Sequence, residues 1–177
     1  MRVLNIHGYK GNPENSAYHA LENIGCEVIS PAVRYDYYEP EKIIEKLRKM
    51  FTDNECDIIV GTSLGGFFGA VLSARLSVPV VLVNPCLMPF VTLPRLNPTG
   101  DICQYIRRYV HLFPEIADMD ISVTSTIIGG QDEVIGYHDF TEILLRNKDF
   151  RIIPDGKHSG ATLPLEKYFT EILRQYI

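Results

Sequence analysis

One short stretch restricts the choice of fold more than any other. Ile58-Ile59-Val60, an apolar β-type run, passes directly into Gly61-Thr62-Ser63-Leu64-Gly65, and residues 64–76 continue with helical spacing. That helix is crowded with small side chains: Gly65, Gly66, Gly69, Ala70, Ser73 and Ala74. A turn this sharp forces its central residue into a strained backbone conformation and leaves no room for side chains on either flank, which explains the glycines. Small residues in the helix let it lie close to a sheet, at a propensity cost of up to about 1 kcal/mol per glycine. Only a strand inside a covered sheet, followed by a closely packed helix, offsets such a cost. The bare pentapeptide also occurs in ordinary anion-binding or turning loops, so its setting carries the argument.

The rest of the chain supplies that sheet. Short β-branched runs recur at 3–6, 27–29, 57–60, 80–83, 123–128 and 150–153, and several are continuous rather than alternating, as in parallel strands covered on both faces. Helical spacing lies between them: Ile43, Ile44, Leu47, Met50 and Phe51 share a face within 40–51, a third helix is expected over 136–146, and a last over 163–176. The alternation predicts a doubly wound α/β sheet of about six parallel strands in three layers. It also predicts one domain spanning 1–177, a size that buries roughly two-thirds of the unfolded surface. Residues 85–122 break the pattern with Pro85, Pro89, Pro94, Pro98 and Pro114 around an amphipathic stretch at 101–110, and a connection this long reads as a small cap or lid.

Composition removes several classes of function. A net charge of −5 with mixed signs leaves no positive field for nucleic acid or anionic lipid. The 46% apolar and 22% charged content is that of an ordinary globular protein. No run approaches the roughly 20 apolar residues that span a bilayer, and Met1 to Ile6 is too short for a signal-peptide core, so a cytoplasmic location without membrane insertion is expected. Cys26, Cys56, Cys86 and Cys103 form no C-x-x-C pair and read as free thiols. Neither G-x-G-x-x-G nor G-x-x-x-x-G-K-[ST] is present, which argues against dinucleotide and nucleotide loops.

A serine presented on such a turn becomes a nucleophile only beside a base. Of His7, His19, His111, His138 and His158, only His158 follows the last predicted strand, in Pro154-Asp155-Gly156-Lys157-His158-Ser159-Gly160. A loop at the carboxyl edge of a parallel sheet can bring its imidazole over the turn. The third member should be a carboxylate between serine and histidine, and Gly129-Gly130-Gln131-Asp132-Glu133 follows the fifth strand. Asp132 is favoured because a short side chain is held more rigidly, with Glu133 its competitor, either of which could instead cap the helix expected to begin near Gly136, and Asp155 a turn residue. Leu64 N–H and Tyr9 N–H are the candidate oxyanion donors, the second on condition that the first strand neighbours the third. His7 and Gly8 then support that loop, with His7 as a packing histidine, and Asn84 in Asn84-Pro85 points toward the site. Tyr35, Tyr37 and Tyr38 read as a partly exposed loop packed on the domain edge, with lining of the pocket as the alternative.

Taken in order, I-H-G-Y, G-T-S-L-G-G, V-N-P-C-L-M-P-F, G-Q-D-E-V-I and G-K-H-S resemble the small YqiA-like esterases of the α/β-hydrolase superfamily along essentially the whole chain. The resemblance implies a trimmed α/β-hydrolase sheet lacking the superfamily's first strands and Ser63, Asp132 and His158 as catalytic triad. It also implies Tyr9 and Leu64 as oxyanion hole and short-chain acyl esters as substrates. No metal or organic cofactor is called for. A thioesterase or acyltransferase using the same triad, and a non-catalytic scaffold that binds a ligand or partner, are the alternatives.

Overall fold

The computed structural model describes residues 1–136, 138–146 and 149–176. Six strands, β1 (Arg2–Ile6), β2 (Glu27–Ile29), β3 (Ile58–Thr62), β4 (Val80–Val83), β5 (Thr124–Gly129) and β6 (Phe150–Ile153), form one sheet in the order β2-β1-β3-β4-β5-β6, every pair parallel. The helices are α1 (Ser16–Asn23), α2 (Pro40–Asp53), α3 (Leu64–Leu76), α4 (Pro89–Leu96), α5 (Ile106–Leu112), α6 (Asp139–Leu145) and α7 (Leu165–Leu173). The chain lays β2 on one side of β1 and then crosses back to place β3 on the other. The crevice at such a reversal, beyond the carboxyl ends of the strands, is where open α/β sheets hold their sites.

Alternation along each strand sends side chains to two separate cores. Leu4, Ile6, Ile59, Val80 and Leu82 pack with α2 and α3 on one face, while Val3, Ile58, Val60, Val81, Val83 and Ile127 pack with α1 and α7 on the other. Both faces of the central strands are covered, which is why β3 and β4 are almost continuously apolar, while β1 and β5 also bury Asn5, Thr124, Ser125 and Thr126. Residues 64–73 of α3 are all buried. Its small residues let it seat against the sheet, where burial outweighs the propensity lost at each glycine.

Several boundaries differ from the sequence expectation, each for a local reason. The helix expected over 136–146 begins at Asp139, because the Asp132 side chain takes the N–H groups of Val134 and Ile135 and Gly136 turns the chain at φ +80°. Tyr137, inside that expected range, lies outside the described residues. The last helix starts at Leu165 rather than 163, since proline at 164 disfavours helical backbone at the residue before it, and it tightens into a 3-10 turn at Arg174–Tyr176. The amphipathic 101–110 stretch divides into a 3-10 helix, Asp101–Tyr105, and α5. Two short helices were not predicted. Asn15 caps α1 by accepting Tyr18 N–H at 2.9 Å, and α4 tolerates Pro94 near its end.

The 85–122 region contributes to the core: Ile102, Tyr109, Leu112 and Ile116 are buried against the α2 and α3 layer. Tyr35 also departs from expectation. It is 2% exposed and its hydroxyl donates to the His7 carbonyl, whereas Tyr37 and Tyr38 are exposed. All four cysteines are free thiols, and among the described residues no helix is long and apolar enough to cross a membrane.

Candidate active site

Ser63 sits between β3 and α3 with φ 54° and ψ −121°, the strained conformation the turn demands. A Cβ on Gly61 would come within 2.5 Å of the Gly65 carbonyl oxygen, and one on Gly65 within 2.1 Å of the Ile6 carbonyl oxygen. The first glycine lets the turn close. The second lets the start of α3 press against the end of β1, whose neighbour in the sheet is β3, with Ile6 opposite Gly61.

That pairing meets the condition set for Tyr9. The His7-Gly8-Tyr9 loop leaves β1 directly beside the serine, so close that a Cβ on Gly8 would lie 2.9 Å from Ser63 Cβ. Leu64 is the first residue of α3, and its N–H belongs to the helix's unpaired first turn. Gly8, Tyr9, Ser63 and His158 all line one cleft of about 380 Å³, whose other walls include Asn12, Glu14, His19 and Ser159.

His158 arrives from the loop after β6. Its Nε2 lies 3.0 Å from Ser63 Oγ and its Nδ1 lies 2.9 Å from Asp132 Oδ2. Asp132, after β5, has a fully buried side chain. Its Oδ1 accepts Val134 N–H and Ile135 N–H, each at 2.9 Å. Burial by itself would raise this carboxyl, but hydrogen bonds from His138, His158 and Ile135 N–H outweigh it and hold Asp132 well below the usual carboxylate range. Glu133, the competitor, turns elsewhere and accepts the backbone N–H of His158 at 3.1 Å.

Asn84, at φ +43° past the end of β4, is wholly buried. Its amide donates to the carbonyls of Lys157 (2.9 Å) and His158 (3.0 Å), and its Oδ1 accepts Gly129 N–H at 2.7 Å. One side chain thus ties the end of β5, which leads to Asp132, to the loop that carries His158. His7 is also satisfied at both nitrogens: Nδ1–H donates to Gly8 O at 2.8 Å and Nε2 accepts Val33 N–H at 3.0 Å. Burial lowers its pKa despite the bond to Gly8. It braces the loop from beneath.

The sequence reading missed His138, Arg95, Asp36 and Asn97. His138 was among the histidines considered and set aside for preceding β6, yet its Nε2 lies 2.9 Å from Asp132 Oδ2. Its position six residues after the carboxylate, just before α6, was the available signal. Arg95 of α4 donates to the carbonyls of Val134 (2.6 Å) and Ile135 (3.1 Å), anchoring the Asp132 loop. The Tyr9 hydroxyl donates to Asp36 at 2.8 Å and accepts from Asn97 at 2.9 Å, so the 85–122 region also holds the Tyr9 loop.

Solved structures share this architecture. A structure of the metagenome-derived lipolytic enzymes LipS and LipT superposes with a TM-score of 0.74 at 15% identity, covering 98% of this chain and 93% of that one. Est1E from Butyrivibrio proteoclasticus gives 0.74 at 16% identity, covering 98% and 88%. A putative hydrolase of the alpha/beta superfamily from Xanthomonas campestris pv. campestris gives 0.66 at 17%, covering 98% of both chains. At such identities the likeness is one of fold, that of the α/β-hydrolases. The profile of an uncharacterised protein family, UPF0227, matches residues 2–161, and the chain therefore belongs to that family, the YqiA family its motifs resemble.

Proposed function

We propose that the protein is a serine hydrolase of small carboxylic esters. The observation that carries this reading is the unbroken path from Ser63 Oγ through both nitrogens of His158 to an ionised, buried Asp132, with contacts of 3.0 and 2.9 Å. Ser63 Oγ attacks the ester carbonyl while His158 Nε2 takes its proton, and Asp132 holds the Nδ1–H tautomer and stabilises the imidazolium that forms. The oxyanion is received by Leu64 N–H and Tyr9 N–H, donors already fixed in place before the charge develops. As the tetrahedral intermediate collapses, His158 returns its proton to the departing alcohol and leaves an acyl-serine. Water, activated by the same imidazole, then releases the carboxylic acid and free serine.

Support for a small substrate comes from the cleft, whose volume of about 380 Å³ lies near the lower end for ligand pockets and whose walls carry Asn12, Glu14, His19 and Ser159. The test is a panel of p-nitrophenyl esters from acetate to palmitate and of acyl-CoA thioesters. It is run on the wild type and Ser63→Ala, with fluorophosphonate labelling in parallel. Turnover of short esters that Ser63→Ala abolishes, with the label on Ser63, is expected. Undiminished turnover by Ser63→Ala, or a Ser63 inert to the probe, would end the proposal, and a preference for the thioesters would reassign the substrate.

A further inference from the structure

We infer that His138 is a positioning residue: its Nε2–H donates to the face of Asp132 that His158 also uses, and so sets both the orientation and the proton affinity of the catalytic pair. The inference rests on the hydrolase reading above and adds a fourth residue to it.

The geometry of the carboxylate comes first. An ionised aspartate offers about four acceptor sites over its two oxygens. Oδ1 accepts Val134 N–H and Ile135 N–H and also lies 3.0 Å from His158 Nδ1, while Oδ2 lies 2.9 Å from both His138 Nε2 and His158 Nδ1. Two backbone donors fix the position of the group. His138 adds a fixed donor on the second oxygen, so that both oxygens are held and the carboxylate plane stays turned toward His158 Nδ1.

The surroundings of His138 fix which nitrogen donates. Its side chain is 7% exposed, and Nδ1 has no hydrogen-bond partner among the described residues. A tautomer with its proton on Nδ1 would strand that N–H in a dry site and turn the bare Nε2 toward a carboxylate oxygen. The tautomer with the proton on Nε2 makes a charge-assisted bond and strands only a lone pair, the cheaper choice.

The charged and titratable groups around the cluster come from every neighbouring element. The Cys86 thiol, in the turn before α4, is pushed up to about 12, chiefly by burial, and remains neutral. Arg95 of α4 is engaged with the Val134 and Ile135 carbonyls, Glu133 faces the backbone of His158, and Asp139 opens α6 in an exposed position. No other described side chain makes a hydrogen bond or ion pair with Asp132 besides the two histidines.

The consequence has a definite sign. A donor on Oδ2 drains negative charge from one of the two oxygens that face His158 Nδ1–H. Without it, the more negative carboxylate favours the imidazolium, and His158 binds its proton more tightly. The acid limb of kcat/KM, which reports protonation of the free base, then moves to higher pH.

The experiment compares the wild type with His138→Leu and His138→Gln on p-nitrophenyl acetate across pH, with thermal melts to establish folding. His138→Leu should lower kcat about tenfold, the scale of one charge-assisted hydrogen bond expressed in part, with KM within about twofold. Its acid limb should move up. His138→Gln, whose amide reaches the same oxygen, should recover most of the rate and the wild-type limb. An unchanged rate and profile in folded His138→Leu, or a glutamine variant as impaired as the leucine one, overturns the inference while leaving the hydrolase reading intact. Loss of turnover in the wild type itself would instead sink that reading. Should the leucine variant not fold, two-bond proton–nitrogen spectra of wild-type protein carrying ¹⁵N-histidine decide, with His138→Gln identifying the signal. A proton on Nε2 of His138 supports the bond, and a bare Nε2 refutes it.

Discussion

Replacing Asn84 with alanine should damage the site and the fold together, by an amount that follows from what the side chain satisfies. Its Oδ1 is the partner of the Gly129 N–H inside the buried core of the sheet, and its amide serves two carbonyls of the His158 loop. A buried N–H left without a partner costs about 1–3 kcal/mol, and each half-buried carbonyl bond lost about 1 kcal/mol or less, since water can reach it. Alanine must also hold φ +43°, where asparagine is tolerated and a plain Cβ costs about 1 kcal/mol more. The sum is about 4 kcal/mol, against a total stability on the order of 5–15 kcal/mol. At about 2–4 °C per kcal/mol for a chain of this length, the melting temperature should fall by roughly 8–16 °C.

Activity below the new transition separates anchoring from mere stability. With the tether gone, the loop carrying His158 is no longer fixed to the strand end that precedes Asp132, so kcat should fall roughly a hundredfold, the cost of misplacing a reacting group by about 1 Å. Scanning calorimetry and ester turnover at 20 °C are the assays. A melting temperature within 2–3 °C of wild type (~1 kcal/mol) together with unchanged kcat would refute the reasoning. Asn84→Asp is a sharper variant. Its carboxylate would face the same two carbonyls, so its destabilisation should grow as pH rises through the titration of the new carboxyl.

Asp132→Asn should reduce kcat by about 10⁴, because an amide no longer selects the Nδ1–H tautomer of His158. Asp132 titrates below its ordinary value in the folded state, so its contribution to stability is complete above the unfolded value of about 3.9, shrinks as pH falls beneath it and is lost only through the depressed folded value. The urea midpoint of Asp132→Asn should accordingly lie well below wild type at pH 7, and the gap should narrow at pH 3, where the unfolded carboxyl is protonated; an equal gap at both would contradict the depressed value. Gly65→Ala should cost about 3 kcal/mol or more through the clash with the Ile6 carbonyl, read as a lost melting transition or insolubility. A well-folded, active Gly65→Ala would show that α3 can retreat from β1.

Sequence pattern located the elements in which local chemistry and burial agree. The β3 and β4 runs are apolar because both faces of the sheet are covered, and α2 shows its periodicity because one face meets solvent. Boundaries set by side-chain capping were less legible: α6 starts late because Asp132 captures two backbone N–H groups, which no periodicity records. Ser63 and His158 stood out through glycine-rich surroundings and their places after particular strands. Asp132 was separated from Glu133 by side-chain length, and the structure brings Asp132, rather than Glu133, to the imidazole. His138 is not legible in this way, because chain order points only to a histidine after β6 and no sequence pattern marks a second donor to the carboxylate. Tyr35 was read with its exposed neighbours, although its burial depends on the His7 carbonyl, a contact 28 residues away.

The strain at Ser63 is sustained by the same connections that assemble the site. A non-glycine residue at φ 54° with extended ψ costs on the order of 1–3 kcal/mol and relaxes unless its peptide groups are held. Here the Ser63 N–H donates to Val83 O at 3.0 Å, and the Ser63 carbonyl accepts both Gly66 N–H at 2.8 Å and Cys86 N–H at 2.9 Å. Two of these three bonds lead to β4 and the turn beyond it. That strand also delivers Asn84, whose side chain reaches β5 and the His158 loop. The backbone of the turn and the loops carrying its two partners are thus all fastened to the end of one central strand. Relaxing the serine would require breaking bonds to β4, and displacing the histidine would require releasing Asn84 on the same strand. The strained turn at Ser63 and the loop that positions His158 are therefore a single mechanical unit, which is why substitutions at Asn84 should lower stability and kcat together.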